Sequence, residues 1–285
     1  MLLKGELIAA KLWLKSYLDN SRRIWRSYNN PLKAPENLDI KDELERKFYD
    51  EEATQYLADF KEEVFLYDPD EEMPLSHKYF YSRFEKIQDK RILDIGCGHG
   101  FTSVHLAKRG GEIDSIDISP KMIELTRQNA LLNKVENRIK AAVMSAQAME
   151  FADKTFDYVV GLGILHHLNL DLAGKEISRV LKPGGRATFL EPRIPLKFLI
   201  FVRGIFPNKC FESPGGSQLT DEEVERFSSN FSDCRIDYFL FLRKLTRFPI
   251  IRNYGRQLDH FDLKLIKKLP WLRRLYWAFT VQVTK

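Results

Sequence analysis

The chain has 285 residues, 44% of them hydrophobic and 30% charged, with 15 glycines and 12 prolines. Those proportions exclude disordered, collagen-like and coiled-coil architectures. Its net charge of +5 is unevenly spread: residues 1–34 hold 7 basic and 2 acidic side chains, residues 35–192 hold 21 and 29, and residues 193–285 hold 17 and 9. An acidic centre between basic ends argues against a continuous nucleic-acid groove. It suits a basic face beside an anionic ligand or membrane surface, and equally a plain solvated surface. No window approaches about 18 uninterrupted apolar residues, so no transmembrane helix is expected. Glu6 and the lysines around it break up any leader-like apolar run. Cys97, Cys210 and Cys234 are too scattered for a disulfide frame or a zinc ribbon, and a reducing, cytoplasmic setting is expected.

In chain order, the first predicted helix runs from about Leu2 to Arg26. On a helical wheel Lys4, Lys11, Lys15, Arg22 and Arg26 form a narrow stripe beside an apolar arc of Leu3, Leu7, Ala10, Leu14, Tyr17 and Leu18. The pattern fits an interfacial helix making peripheral membrane contact, and it fits a helix docked on its own domain. After the linker NNPLKAPENLD, a charged helix is predicted from about Ile40 to Lys61, so that residues 1–62 form a helical extension and lid. From Arg91 the period changes to short strands, RILDI, EIDSID, IKAAVM, FDYVVGL and GRATFLE. The helices FTSVHLAKRG, SPKMIELTRQNALLN and LAGKEISRVLK lie between them, with Ser119 as an N-cap and Pro120 at the first helical position. This alternation predicts a doubly wound, Rossmann-like α/β sheet, mostly parallel and covered on both faces. CRIDYFLFL and AFTVQVTK follow as an antiparallel pair around a helical insertion, which gives seven strands with an antiparallel last one.

The chemistry concentrates in LDIGCGHG, Leu93 to Gly100, at a strand-to-helix turn. Gly96, Gly98 and Gly100 let the backbone turn sharply and let a ligand lie against it without meeting a Cβ. The helix behind offers unpaired N–H groups. A dinucleotide fingerprint would need glycine where Phe101 stands, and no Gly-Lys-Ser/Thr follows to make a phosphate-binding loop. Asp117 ends the next strand, where a carboxylate comes level with the turn and can accept both ribose hydroxyls. Asp94, inside the first strand, is then left to hold a cationic amine. A ligand with a ribose, an ammonium group and no pyrophosphate satisfies both acids, and S-adenosylmethionine is such a ligand.

At this point the sequence resembles the class I S-adenosylmethionine-dependent methyltransferases, especially the ubiquinone- and menaquinone-methyltransferase branch. The matching stretches are LDIGCGHG (93–100), DISPKMI (117–123), SAQAMEFADKTFD (145–157), GILHHL (163–168) and RVLKPGGRATFLEP (179–192). The resemblance implies a methyltransferase domain over 63–285, with insertions at about 192–219 and 243–275. It also implies that Asp94 and Gly96 meet the methionine end, Asp117 the ribose, and Ile118 and Met122 the adenine. Ser145, Ala146 and Gln147 would line the adenine edge, and Ile95, Cys97, Gly98, Gly100 and Leu162 the rest of the cofactor site. The family more often has Asp where Ser145 stands, which puts the adenine-amine contact in doubt or shifts it to Gln147. Tyr49 resembles an N-terminal tyrosine that covers the cofactor in related enzymes. No metal is implied, because the acidic pairs of metal-dependent O-methyltransferases are missing.

The acceptor is narrowed by absences. Gly161-Leu162-Gly163-Ile164 stands where base- and glutamine-methylating relatives carry an Asn/Asp-Pro-Pro-aromatic run, and no Pro-Cys nucleophile appears. Nucleic-acid substrates are therefore not expected. Cys97 reads as packing. Candidate bases are His166 and His167 after the fourth strand and Glu191 at the tip of the fifth, where ligands bind in open α/β sheets. The insertions are apolar and aromatic with spaced cations, which suits a small or lipid-like acceptor such as a quinone or glycolipid. The alternative is a catalytically idle cofactor-binding protein that serves as a membrane or partner module. The sequence carries no signal for the oligomeric state.

Overall fold

A computed structural model of the chain describes residues 38–58, 73–84, 86–193, 219–239, 242, 245, 251 and 254–285. The Leu2–Arg26 helix, Cys210 and most of the 192–219 insertion lie outside those residues, as does the first part of the 243–275 insertion. The described elements begin with α1 (Leu38–Ala58), α2 (Leu75–Ser82), β1 (Arg91–Ile95), α3 (Phe101–Lys108), β2 (Glu112–Asp117) and α4 (Pro120–Leu132). They continue with β3 (Ile139–Val143), β4 (Phe156–Leu162), a 3-10 turn (Leu165–His167), α5 (Leu170–Val180) and β5 (Leu181–Pro192). The last are α6 (Asp221–Ser228), β6 (Asp233–Phe239), α7 (Gly255–Lys268), a 3-10 segment (Pro270–Leu275) and β7 (Ala278–Thr284).

The strands form one seven-stranded sheet in the order β3-β2-β1-β4-β5-β7-β6. The β1–β2, β1–β4, β2–β3 and β4–β5 pairings are parallel, and β7 is antiparallel to both β5 and β6. Only β7 is therefore reversed, and β6 runs in the same direction as the first five strands. Chain order doubles back between β1 and β4, and such a switch point opens a crevice at the carboxyl ends of the strands.

Alternate residues of the central strands feed two cores. Leu93, Val159, Phe189 and Val281 pack on one face with Ile177 of α5 and Phe227 of α6. Ile92, Ile113, Val160 and Leu190 pack on the other with Phe80 and Phe84 beside α2 and Val104 of α3. Burial on both faces explains why apolar residues stand at consecutive positions, Ile92-Leu93 in β1 and Val159-Val160 in β4, as parallel sheets require. The α2 helix had no sequence expectation. Its short SHKYFYS carries too few turns to show a period, but Phe80 and Tyr81 are buried. The fifth strand also starts four residues earlier than GRATFLE suggests, because Leu181 pairs with Phe156 ahead of a register shift. Gly184, at φ +73°, turns the chain through that irregularity.

Candidate active site

The glycine turn follows β1 and closes on itself, with the Gly100 N–H donating to the Cys97 carbonyl at 2.9 Å. Gly96, Gly98 and Gly100 have φ values of +62°, +53° and +80°, in the left-handed region. Space separates the first two. A Cβ on Gly96 would stand 2.5 Å from Ile164 Cδ1, whereas one on Gly98 would meet nothing within 4 Å. Gly96 thus admits the close passage of β4's tail, and Gly98 faces an open cradle that a side chain would fill. Cys97 is buried against α4, its Sγ 3.4 Å from Thr126 Oγ1. Burial and the neighbouring Asp117 and Asp94 charges push its thiol well above the usual range. A thiol held protonated in this way is packing, with no nucleophilic character.

The two acids flank the cradle. Asp94 is buried beside β2, and its Oδ2 accepts from Ser103 Oγ at 2.6 Å, with Ser115 Oγ a further 2.8 Å on. Desolvation outweighs that hydrogen bond, and with the Asp117 charge it raises the carboxyl to about 7. Asp117 accepts from the Gly98 N–H at 3.0 Å and the Ser119 N–H at 2.9 Å. Burial nevertheless lifts it to about 6 against those two bonds. Two buried carboxylates about one strand apart, with no cation between them among the described residues, form a site of unspent negative charge.

A roof lies over this crevice. Asp42, Glu45, Tyr49 and Ala53 recur at i, i+3, i+7 and i+11 on α1, a single helical stripe. Ser119 Oγ donates to Asp50 Oδ1 at 2.6 Å, and Ala53, Tyr49 and Leu57 cover Met122 and Leu125. Ile118 is half-buried beside them. At the other end Gln147 Nε2 donates to both carboxylate oxygens of Asp42, at 3.0 and 3.1 Å, while its Oε1 accepts the Asn169 N–H at 2.7 Å. Gln147 is therefore a clamp on the roof, committed on both sides of its amide. Ser145 Oγ accepts the Gln147 N–H at 3.3 Å, and Ala146 is buried in the core below. Asp42 is the site residue that sequence reasoning missed. It places on α1 a carboxylate next to the position where the family's Asp is replaced by Ser145. Charges surround it throughout the run KDELERKFYDEE, so the sequence carries no signal that singles it out.

The three candidate bases and Tyr49 divide into two groups. Glu191, 0% exposed at the end of β5, accepts the Ile164 and Leu165 N–H groups at 3.0 and 2.9 Å with Oε1. Its Oε2 lies 2.7 Å from His166 Nδ1. An ionised carboxylate can only accept, so against it Nδ1 carries the proton and Nε2 is the basic atom. His167 instead serves the roof, with Nε2 3.1 Å from the Tyr49 hydroxyl and Nδ1 3.4 Å from Glu45 Oε1. The rings of His166 and His167 lie 3.9 Å apart, so the two groups touch. Leu162 is exposed at the tip of β4.

The turn-and-two-acids crevice lies at the switch point of a seven-stranded sheet with one reversed strand, a Rossmann-like arrangement, and the segment that builds it is where the chain resembles methyltransferase domains. Residues 92–185 match the family model described as a methyltransferase domain. Among characterised relatives, the chain is similar to the ubiquinone/menaquinone biosynthesis C-methyltransferase of Rhodopseudomonas palustris, 37% identical over 176 residues. That match covers 60% of this chain and 64% of that enzyme. A sterol 4-C-methyltransferase of Caenorhabditis elegans is 33% identical over 111 residues, covering 39% of this chain and 33% of that one. The chain therefore spans less than two thirds of the length of these relatives. The fold matches Haemonchus contortus phosphoethanolamine N-methyltransferase 2 in complex with S-adenosyl-L-methionine, with a TM-score of 0.53 and 19% identity over 73% of this chain and 51% of that one.

Proposed function

We propose that the protein transfers a methyl group from S-adenosylmethionine to a small, lipid-like acceptor. The observation that carries this reading is the pair of buried acids, Asp94 and Asp117, on either side of the open cradle at Gly98. A buried carboxylate raised to about 7 calls for a cationic partner, and one raised to about 6 beside a glycine turn calls for hydroxyl donors. The residues present fit the cofactor on those grounds. Asp94 and Gly96 hold the amino-acid end, Asp117 the ribose, and Ile118 and Met122 the base under the α1 roof. When bound, the cofactor supplies a methyl carbon activated by its sulfonium. The chain's own contribution is alignment, exclusion of water, and a base for the acceptor proton.

That base is His166. Glu191 fixes its ring and its tautomer, as a positioning residue, and leaves Nε2 to take a proton from an acidic O–H or C–H. The lipid-like character of the acceptor draws support from two relatives whose names specify quinone and sterol methylation. The test mixes the purified protein, methyl-tritiated cofactor and a lipid extract of the source cells, then partitions the label into organic solvent. Label in the organic phase that disappears with Asp94→Asn is the expected result. Label confined to water-soluble product would contradict the lipid-like acceptor, and no transfer to any acceptor would favour the idle cofactor-binding alternative.

A further inference from the structure

The connection from β6 to β7 leaves and rejoins the sheet at the active-site end. Phe239, the last residue of β6, pairs with Ala278, which also pairs with Pro192 directly after Glu191. The α7 helix and the 3-10 segment after it thus belong to the rim of the sheet at its β7–β6 edge. They are held from inside. Asp259 accepts the Leu75 N–H at 3.3 Å, Asp262 accepts the Leu242 N–H at 2.9 Å, and Tyr276 donates its hydroxyl to the Asp262 carbonyl at 3.2 Å.

That anchoring has a consequence for charge. Asp259 and Asp262 are the only acids between Tyr254 and Lys285, and both are buried. The outward arc of α7 carries Lys264, Lys267 and Lys268, followed by Arg273, all exposed and without an acidic partner among the described residues. Large apolar side chains stand between and beside these cations: Trp271 is 64% exposed, Phe261 56% and Tyr254 55%, with Leu263 and Leu269 also exposed. Single exposed apolar residues are ordinary, but five within one short rim segment, interleaved with unpaired cations, form a patch.

We propose that this rim docks on an anionic membrane surface, with the cations facing lipid headgroups and Trp271, Phe261 and Leu269 entering the interface. Aromatic rings with polar edges sit at that depth, and lysine stems reach the headgroups while lying along apolar matter. The buried face of α7 consists of Gly255, Asp259 and Asp262, and attraction is mainly electrostatic, each cation contributing about a fivefold gain in partitioning. A second copy of the chain is disfavoured, because a two-fold contact would set cations against cations. A nucleic acid would use the charges and rings but has no place for Leu263 and Leu269. Docking here would turn the active-site end of the sheet toward the bilayer, independently of which acceptor is methylated.

The test is sedimentation of the full chain with vesicles of neutral phosphatidylcholine, and of the same lipid with a third of anionic phosphatidylglycerol. Binding to the anionic vesicles that weakens in high salt is expected, with little on neutral ones. The triple substitution Lys264→Glu, Lys267→Glu and Lys268→Glu should reduce it by at least tenfold at an unchanged melting temperature, and Trp271→Ala by several-fold. Unchanged binding in the triple variant would overturn the proposal and place any membrane contact elsewhere. Equal binding to neutral vesicles, or tighter retention on duplex DNA than on vesicles, would overturn it as well.

Discussion

Asp94 and Glu191 are both buried carboxylates near the carboxyl ends of strands in one sheet, two strands apart in its order, yet they are provided for differently. Glu191 has two backbone N–H donors and an imidazole, so its environment is complete before any ligand arrives. Asp94 has only Ser103, through its hydroxyl and less strongly its backbone N–H, and desolvation leaves it at about 7. The β4–β5 side of the crevice is built to hold a side chain in position, and the β1–β2 side is built to be completed by something from outside. Buried polar groups are normally satisfied, so the deficit at Asp94 marks the ligand position more sharply than the glycines do.

The largest effect expected from this contrast is that of Asp94→Asn. Removing one partner of a buried charge pair costs about 3–5 kcal/mol, roughly two to three and a half orders of magnitude in cofactor affinity by calorimetry. The same change should raise the melting temperature of the free protein at pH 8 by a few degrees, because it removes an uncompensated buried charge while Ser103 can still donate. A lower melting temperature would break the distinction drawn between the two acids. Glu191→Gln should do the reverse. Cofactor affinity should stay within about twofold while methyl transfer falls by roughly 10²-fold, the usual contribution of a positioned base.

The turn offers a second way to sharpen the contrast. Gly96→Ala drives a Cβ into Ile164 and should lower stability, read as a lower urea midpoint. Gly98→Ala pays only the left-handed backbone cost of roughly 1–2 kcal/mol, but its methyl fills the cradle, so cofactor affinity should fall more than tenfold. Equal losses of affinity and stability in both variants would remove the case for a ligand at Gly98.

Proton linkage gives a smaller, graded effect. Asp94 and Asp117 titrate near 3.8 when unfolded and at about 7 and about 6 in the fold. Folding favours their protonated forms, so their contribution to stability is full below about pH 4 and is lost as pH rises through 6 and 7. Cofactor binding needs the ionised forms, so affinity should increase from pH 5.5 to pH 8 while the free protein's stability from these two groups decreases. A flat affinity profile would rule out the carboxylates as ligands. Smallest of all, Gln147→Ala should loosen α1, at about 0.5–1.5 kcal/mol per hydrogen bond lost. It would be seen as faster amide exchange over residues 42–53, with at most a tenfold loss of affinity.

Much of this was legible in the sequence where local chemistry and global packing agree. RILDI and FDYVVGL are buried on both faces and read directly as strands, and the Ser119-Pro120 cap sits at the start of α4, with Met122 N–H donating to Ser119 Oγ. The acids and glycines of the turn could be placed because the order strand, turn, helix, strand fixes their relative positions. The roof could not be read so. The contacts of Asp42 with Gln147 and of Glu45 with His167 join residues more than 100 positions apart, and nothing local in DELERKFYDEE says which face meets the crevice. The two histidines are a similar case. Their sequence positions are adjacent, but a 3-10 turn sends one ring to Glu191 and the other to Tyr49.

The central claim is that the cradle between Asp94 and Asp117 binds the methyl donor, and titration calorimetry with S-adenosylhomocysteine at pH 7.5 tests it most directly. Binding of one molecule per chain, weakened by at least a hundredfold in Asp94→Asn and untouched in Glu191→Gln, is the predicted result. Equal binding by the parent protein and Asp94→Asn, or none by the parent, would contradict it.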